Sequence, residues 1–374
     1  MIDFKLPSLG SDMEEGKLLE WKVKPGDAVK RGQVIAVVDT SKAAVEVEVW
    51  QDGTVQELIT QPGDTIPIGT VMAKLLAPGE KPGEKAPVAP VAERKPSTAR
   101  KPSSPAARRR AEELGIDIEK LAGSGPHGAV TLEDVERISQ VKTAPAEKSA
   151  APDRYAEMRK AIAAAMGRSK REIPHYYLSE TVPMQRAAEW LAAENAKRPV
   201  TARLLMGALQ LKAAALCLQK FPDLNGFWRD GAFRPSAAVH VGVAINLRQG
   251  GLIAPAIHDV PAKSLEELMK ALADLVQRAR AGSLRSSEMS DPTVTVTNLG
   301  DQGVEAVYGV IYPPQVALIG FGRLAERPWA ENGALRAMPA VTASLAADHR
   351  VTDGHRGARY LAELRERLQH PETL

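Results

Sequence analysis

Small apolar residues alternate with polar ones along two neighbouring runs near the N-terminus. The runs carry these residues at every second position: Val34, Ala36 and Val38, and then Val45, Val47 and Val49. Alternation with a period of two places one face of a strand on a core. The pattern predicts two half-buried strands joined by a short polar hairpin, with Lys42 at a tip that points away from the core.

The same region contains one pattern of turn residues twice. Gly16, Pro25, Gly26, Asp27 and Gly32 recur 37 residues later as Gly53, Pro62, Gly63, Asp64 and Gly69. An internal repeat with matching turns predicts two halves folded alike. Lys42 lies at the hinge between these halves, which suits an attachment site for a swinging group. An ordinary solvated surface lysine is the alternative.

Composition divides the remainder of the chain. Residues 78–102 alternate proline with Ala, Lys and Glu, and residues 140–152 are also of low complexity. Such segments bury too little apolar surface to fold, and their prolines keep them extended. We therefore predict three domains, residues 1–77, 103–139 and 153–374, joined by two linkers.

Residues 103–139 have the spacing of two short helices. Ala107 and Ala111 lie one turn apart, and Thr131 with Asp134 forms a capping-box pattern at the start of the second helix.

Three consecutive arginines, Arg108, Arg109 and Arg110, lie on the first of these helices. They favour contact with an acidic partner surface. A solvated helix face is the alternative.

The C-terminal segment, residues 153–374, mixes helical and strand patterns. A helix is predicted around Tyr155, Met158, Ile162 and Met166, and a second, apolar on most sides, over Ala202 to Lys220. Strands are predicted at 239–245, 293–297, 316–319 and 341–347, and a last helix carries Ala358, Leu361, Leu364 and Leu368 on one face. This mixture indicates an α/β or α+β domain.

A charged cluster follows the last predicted strand. His349 stands there between Asp348 and Arg350, with Asp353 and His355 close behind. Three interpretations compete: a metal site with Asp353 and His355, a structural histidine, or a general base, since histidine exchanges protons near neutral pH.

Charge and cysteine content narrow the class of protein. The 49 basic and 46 acidic residues give a net charge of +3, which does not argue for a nucleic-acid partner. The single cysteine, Cys217, lies in an apolar stretch and fits a core thiol in a reducing compartment better than a nucleophile. No signal peptide and no apolar run of about 18 residues is recognised, so we expect a soluble cytoplasmic protein without a membrane segment.

Residues 1–77 resemble the lipoyl domains of 2-oxo acid dehydrogenase complexes. The tip reads Ser41-Lys42-Ala43, whereas biotinyl domains with the same two-fold repeat carry methionines around their lysine. The resemblance implies lipoate attached covalently to Lys42. Residues 103–139 resemble the peripheral subunit-binding domain of the same family, which implies that Arg108, Arg109 and Arg110 contact partner enzymes.

The C-terminal domain is similar to the dihydrolipoamide acyltransferases, which are related in fold to chloramphenicol acetyltransferase. The motif Asp348-His349-Arg350, followed by Asp353-Gly354, carries the resemblance. Further matching motifs are Arg159–Ala163, Ile173–Tyr177, Pro222–Asn225, Gly251–Pro255, Thr297–Gly300 and Pro313–Gln315. The implied fold class is multidomain: an all-β lipoyl barrel or sandwich, a small helical subunit-binding domain and an α/β chloramphenicol-acetyltransferase-like catalytic domain.

The resemblance also implies roles for individual residues. His349 would deprotonate the thiol of coenzyme A, and the Thr297 hydroxyl would donate a hydrogen bond to the developing oxyanion. Asp353 would organise the site through an ion pair with Arg159 or Arg350. These residues would meet at the interface of a homotrimer that builds a larger core.

The implied activity is transfer of an acyl group, with acetyl favoured, from lipoyl-lysine to coenzyme A. The implied partners are a 2-oxo acid or acetoin dehydrogenase and dihydrolipoamide dehydrogenase. A branched-chain or succinyl transferase, or a lipoyl carrier and scaffold without transferase activity, are the alternatives.

Overall fold

The computed structural model describes residues 1–7, 13, 15–40, 44–77, 105–113, 124–125, 129–136, 154–247, 251–331 and 333–374. The chain divides into two compact units. The first combines Met1–Pro82 with Arg154–Leu374, and the second is Gly83–Asp153. The linker and domain boundaries inferred from composition stay predictions.

The N-terminal domain is built from strands alone in the parts that are described. They are β1 (Ile2–Lys5), β2 (Glu15–Trp21), β3 (Ala28–Val29), β4 (Val34–Asp39), β5 (Ala44–Glu48), β6 (Gly53–Leu58), β7 (Thr65–Pro67) and β8 (Val71–Leu76). One antiparallel sheet has the order β1-β8-β6-β3, and the other contains the run β5-β4-β2-β7. The second order repeats the first with β5, β4, β2 and β7 in the places of β1, β8, β6 and β3, so the predicted two-fold repeat is confirmed.

Glycine is required at the turns of this repeat. Gly26 and Gly63 have φ of 99° and 103°, and Gly32 and Gly69 both have φ of 82°. Side chains with a Cβ rarely adopt positive φ, so both halves keep glycine at these positions.

The hairpin predicted around Lys42 has its two strands in place. Val38 pairs with Val45, and both are fully buried. A bulge at the start of β4 buries Ile35 next to Ala36, so the alternation predicted from residue 34 is wrong at that end. Lys42 itself lies outside the described residues.

The second unit has a small core of its own. Ala107 and Ala111 of α1 (Pro105–Glu113) are buried with Val130 and Val135. The second helix, α2, covers residues 132–136.

A reciprocal capping box starts α2, as predicted. The Asp134 carboxylate accepts from the Thr131 amide at 3.1 Å, and the Asp134 amide donates to Thr131 Oγ1 at 3.4 Å. Hydrogen bonds from Ser124 and Thr131 lower the pKa of Asp134.

The C-terminal domain surrounds a mixed sheet. Its helices are α3 (Arg154–Glu172), α4 (Gln185–Ala196), α5 (Met206–Lys220), α6 (Leu265–Ala281), α7 (Ser286–Ser290) and α8 (Gly354–Leu368). Its strands are β9 (His175–Pro183), β10 (Gly226–Arg229), β11 (Ala232–Pro235), β12 (Val241–Val243), β13 (Ile245–Asn246), β14 (Leu252–Ile253), β15 (Ala256–Ile257), β16 (Leu284–Arg285), β17 (Val294–Asn298), β18 (Ala317–Phe321), β19 (Ala325–Glu331) and β20 (Ala334–Asp348).

The main sheet has the order β15-β12-β17-β18-β20-β19, and β9 also pairs with β20. Strands β12, β17 and β18 are parallel, whereas β20 is antiparallel to β18. The predicted mixture of helices and strands is confirmed.

The helix predicted to be apolar on most sides is α5, which begins at Met206 rather than at Ala202. By length and composition alone the segment Val200–Lys220 could cross a membrane. Ten residues of α5 within it are buried, and seven of them belong to the hydrophobic core that the helix shares with the main sheet. Burial inside the domain accounts for its apolar composition.

Helix α8 packs on the same core through a slightly different face from the predicted one. Leu361, Leu364 and Leu368 are buried as predicted, whereas Ala358 is exposed. Tyr360, with no exposed surface, occupies the core at the start of this face, and its hydroxyl donates to the Ala214 carbonyl at 3.3 Å.

Candidate active site

The turn that carries His349 is anchored by an ion pair whose carboxylate is buried. Asp348, the last residue of β20, has no exposed surface, and Arg350 donates to its carboxylate through Nε and Nη2 at 3.0 and 2.7 Å. The Arg350 amide donates to the same carboxylate at 2.9 Å. A buried carboxylate needs such donors because its hydration is lost. His349, between the paired residues, is therefore held at the surface.

Arg350 is itself held by an aromatic ring. Its guanidinium lies 4.5 Å from the ring centroid of Trp228 in β10. Neither Trp228 nor the role of Asp348 was predicted from the sequence. The available signal was an acidic residue at the end of an apolar strand with an arginine two positions later.

Replacing Arg350 with alanine is expected to lower the free energy of unfolding by about 3 kcal/mol, because it leaves the Asp348 carboxylate buried without its charged partner. Arg336→Ala, which removes an exposed ion pair with Glu331, is the matched control and is expected to cost less than about 1 kcal/mol. Urea unfolding followed by tryptophan fluorescence measures both. Equal losses in the two variants would contradict this assignment.

The imidazole of His349 contacts an aromatic ring but forms no hydrogen bond with the described residues. Its amide donates to the Pro174 carbonyl at 2.9 Å, and its ring meets the ring of Tyr176 edge-on at 5.4 Å. The Tyr176 hydroxyl is 2.9 Å from Thr352 Oγ1, and burial raises the pKa of this tyrosine. Within the described ranges no hydrogen bond occupies either imidazole nitrogen of His349.

His175 shows the contrasting arrangement of a structural histidine. Its Nε2 accepts from the Ile311 amide at 3.1 Å, so Nδ1 is the nitrogen that donates to the Ile173 carbonyl at 2.8 Å. Burial lowers the pKa of His175. Both of its nitrogens are used inside the protein, unlike those of His349.

Asp353 begins helix α8. Its Oδ1 accepts from the Arg356 amide at 2.9 Å, which satisfies one of the free amides at the helix start. The prediction that Asp353 pairs with Arg350 is wrong within one chain, because Arg350 forms its ion pair with Asp348. Arg159 is exposed and makes no ion pair with any described residue of its own chain.

Thr297 lies on β17 in the middle of the main sheet, half-buried. Its neighbours on the same side use their hydroxyls: Thr293 Oγ1 donates to Asn225 Oδ1 at 2.6 Å, and Thr295 Oγ1 donates to Gln315 Oε1 at 2.7 Å. The Thr297 hydroxyl has no hydrogen-bond partner in the described parts of the chain. It is available as a donor.

Strand register shows that Thr297 and His349 are far apart in one chain. Thr297 is level with Gly320, which is level with Ser344, and His349 lies five residues beyond Ser344. Two strand spacings and five residues of extended chain give a separation of about 20 Å. The structure therefore does not bring these two predicted site residues together within one chain.

The metal-site alternative and the single cysteine were also considered from the sequence. Among the described residues no group of three or more His, Cys, Asp or Glu side chains is placed to hold a metal ion. Cys217 is buried, and burial raises its pKa to about 12, as expected for a core thiol.

The predicted partner-binding arginines lie on α1. Arg108, Arg109 and Arg110 are all exposed, and Arg110 pairs with Glu113 at 2.7 Å. An exposed cationic helix face is thus present in the second unit.

Three family models match the chain in sequence. The model described as "2-oxoacid dehydrogenases acyltransferase (catalytic domain)" matches residues 148–374. The model described as "Biotin-requiring enzyme" matches residues 2–75, and the one described as "e3 binding domain" matches residues 101–136.

Full-length relatives are found in bacteria. The chain is 32% identical to the dihydrolipoyllysine-residue acetyltransferase component of the pyruvate dehydrogenase complex of Rhizobium meliloti, over 99% of this chain and 98% of that protein. It is 30% identical to the component of the same name from Staphylococcus aureus, over 100% of this chain and 99% of that protein.

Solved structures resemble the C-terminal domain. The dihydrolipoamide acetyltransferase of Azotobacter vinelandii, studied for the catalytic role of a serine, a histidine and an asparagine, matches with a TM-score of 0.55 at 28% identity, over 58% of this chain and 90% of that one. A probable dihydrolipoamide acetyltransferase of Listeria monocytogenes matches with a TM-score of 0.54 at 28% identity, over 57% of this chain and 92% of that one.

Proposed function

The chain belongs to the 2-oxoacid dehydrogenase acyltransferase family, and from this membership we propose that it transfers acetyl groups between lipoyl-lysine and coenzyme A in the core of a pyruvate dehydrogenase complex. The full-length relatives named above support acetyl as the acyl group. The three family models also follow one another in the predicted order: lipoyl, partner-binding and acyltransferase.

One observation carries the catalytic assignment. The interval from Thr297 to His349 equals that from the serine to the histidine studied in the Azotobacter vinelandii enzyme, and the interval from His349 to Asp353 equals that from the histidine to the asparagine. Threonine keeps the hydroxyl of serine. Aspartate keeps a side-chain oxygen that can cap α8 as Asp353 does.

His349 acts as the general base in this proposal. A free imidazole nitrogen takes the proton from the coenzyme A thiol, and the sulfur then attacks the carbonyl carbon of the thioester. The carbon–sulfur bond to the carrier breaks, and the departing sulfur receives the proton back from the imidazolium. The acyl group moves from one thiol to another, so no oxidant or reductant is needed.

Thr297 stabilises the charge that develops during the attack. Its hydroxyl is free to donate to the thioester oxygen as that oxygen becomes negative. The neighbouring Thr293 and Thr295 cannot take this role, because their protons are already donated to Asn225 and Gln315.

We infer that the complete site forms between chains. The separation of about 20 Å within one chain prevents Thr297 and His349 from acting on the same thioester. In a closed ring of three chains, each His349 can face the Thr297 of a neighbour. We propose that Asp353 forms its ion pair across this interface, with Arg159 or another cation of the neighbouring chain.

Lys42 is the proposed attachment point of the lipoyl group. The last described backbone pair of its hairpin is Asp39 with Ala44, so only a short connection carries the lysine. Ser41 and Ala43 favour lipoate over biotin at this position. The lipoyl group supplies a dithiol on which an acyl group is carried as a thioester.

The second unit supplies the proposed contacts with partner enzymes. The match to the "e3 binding domain" model includes α1 and its exposed Arg108, Arg109 and Arg110. We propose that these arginines bind an acidic surface of dihydrolipoamide dehydrogenase, while a pyruvate dehydrogenase component supplies acyl groups. The proposed location is the bacterial cytoplasm.

A panel of acyl donors tests the proposed function. Purified chain, shown by intact mass to carry lipoate on Lys42, is mixed with free dihydrolipoamide and with acetyl-CoA, isobutyryl-CoA or succinyl-CoA. Acetyl transfer is expected to be fastest, by about tenfold or more, because each added methylene or charge must fit a pocket shaped for acetyl.

Two results of this panel would contradict the proposal. Faster transfer of isobutyryl or succinyl groups would mean that this group, and not acetyl, is the natural acyl substrate. No transfer with any donor by a folded, lipoylated chain would instead support a carrier and scaffold.

A further inference from the structure

The outer edge of one N-terminal sheet is extended by a strand from the C-terminal domain. Strand β16 pairs in parallel with β5, with Leu284 opposite Val45 and Arg285 opposite Glu46. An edge strand offers unpaired amides and carbonyls, and strand addition satisfies them. The N-terminal sheet thus gains a fifth strand.

Side-chain hydrogen bonds continue the contact into α7. The Glu48 amide donates to Ser286 Oγ at 3.2 Å, and Ser287 Oγ donates to Glu48 Oε2 at 2.5 Å. Residues 284–290, which comprise β16 and α7, are called the docking segment below.

Apolar contacts join the two domains at the same place. Val45 and Leu284 are both fully buried. Met289, in the docking segment, packs against the core of the N-terminal domain and against the core of the C-terminal domain.

The docking segment is held rigidly on its own domain. Glu288 is almost fully buried, and its carboxylate receives two hydrogen bonds from the guanidinium of Arg278 in α6. The Arg285 amide donates to the same carboxylate at 2.9 Å. The hydrogen bonds from Arg278 join the segment to α6 of its own domain.

The contact breaks the two-fold symmetry of the N-terminal domain. Strands β1 and β5 are equivalent edges of their sheets, yet in the described part of the chain β16 extends only the β5 edge. Strand β5 begins two residues after Lys42. The paired edge is the one that leads from the proposed lipoyl attachment point.

One cavity beside the docking segment shares lining residues with a second cavity beside Arg350. Met289 and Ser290 line a cavity of 390 Å³ together with Pro313, Pro314 and Gln315. The last three also line a cavity of 230 Å³ that reaches Arg350.

We propose that the docking segment is a binding surface for the lipoyl domain of the same chain, which it recognises by strand addition to the β5 edge. This inference rests on the proposed function, since it describes how the carrier is held while its acyl group is transferred. Backbone pairing gives the contact its register, and the charges of Glu46 and Arg285 together with the Glu48–Ser287 hydrogen bond make it specific for this edge.

Cysteine trapping in the full-length trimer tests the contact. Glu46→Cys combined with Arg285→Cys places two thiols opposite each other in register, and mild oxidation is expected to form a disulfide within one chain at least tenfold faster than in the control. The control is Glu57→Cys with Arg285→Cys, because Glu57 is exposed on the other sheet. Equal rates, or a disulfide that links two chains, would overturn the proposal.

Charge reversal tests whether the contact serves transfer. Each variant is scored by the ratio of two rates from acetyl-CoA: acetylation of its own reduced lipoyl group and acetylation of free dihydrolipoamide. Glu46→Lys places like charges opposite each other and is expected to lower this ratio about fivefold. Combining it with Arg285→Glu is expected to restore the ratio, and Glu57→Lys is the matched control.

The two rates separate the docking proposal from the proposed function. Failure of all variants and of the wild type to acetylate free dihydrolipoamide would mean that the proposed function is wrong. Normal acetylation of free dihydrolipoamide with an unchanged ratio in Glu46→Lys would mean that the docking proposal is wrong. Lipoylation of Lys42, measured by mass in every variant, confirms that the N-terminal domain is folded.

Discussion

Replacing His349 with alanine is expected to slow acetyl transfer between acetyl-CoA and dihydrolipoamide by about 10²–10⁴-fold, the range for loss of a positioned general base. The imidazole is the group concerned, because neither nitrogen is used within the described parts of the chain. The backbone position survives the change, since the turn is held by Asp348 and Arg350 rather than by the histidine side chain.

His355→Ala is the matched control for this prediction. His355 is exposed at the start of α8, six residues after His349, and it was the other histidine considered for a metal site. The control is expected to retain the wild-type rate. Full activity of the His349 variant, with a trimer of unchanged size, would exclude His349 as the base.

Replacing Thr297 with valine is expected to lower the rate by about 10²–10³-fold, because the isosteric change removes one donor to the developing oxyanion. Thr297→Ser is expected to retain most of the activity, since it keeps the hydroxyl. Steady-state rates at saturating acetyl-CoA and dihydrolipoamide measure both effects on kcat.

Thr295→Val separates this catalytic role from a structural one. The Thr295 hydroxyl is buried and bound to Gln315, so its loss is expected to cost about 1–3 kcal/mol of stability while transfer continues. A Thr297→Val enzyme with the wild-type rate would contradict the assignment of Thr297 as the donor.

The sequence was most informative where local rules act alone. The turns at Gly26 and Gly63 require positive φ, which glycine adopts readily. The repeated glycines therefore predicted the symmetry of the N-terminal sheets. The Thr131–Asp134 capping box formed as predicted because both partners lie within four residues. Such features depend on neighbours along the chain.

Features that depend on distant parts of the chain were missed. The ion pair of Arg350 with Asp348 is local, but the Trp228 ring that supports it lies more than a hundred residues away. The same limitation applies to β16, whose two residues carry no strand pattern and become a strand only by pairing with β5. Burial of Ile35 followed from a bulge that alternation alone does not reveal.

The sequence selected candidate residues for the site but not their arrangement. Motif resemblance selected Thr297, His349 and Asp353, and the relative with the same intervals supports that selection. Only the strand register showed that the first two lie about 20 Å apart in one chain. The central claim is therefore that two chains share each site. Such a site allows two inactive variants to restore activity in mixed trimers, whereas a site within one chain does not.

Co-expression of His349→Ala chains with Thr297→Val chains tests this claim most directly. In mixed trimers, some sites combine an intact His349 from one chain with an intact Thr297 from its neighbour. Random assembly of equal amounts is expected to restore about one quarter of wild-type transfer activity, although each variant alone is nearly inactive. Mixed trimers that stay as inactive as the separate variants would contradict a site shared between chains.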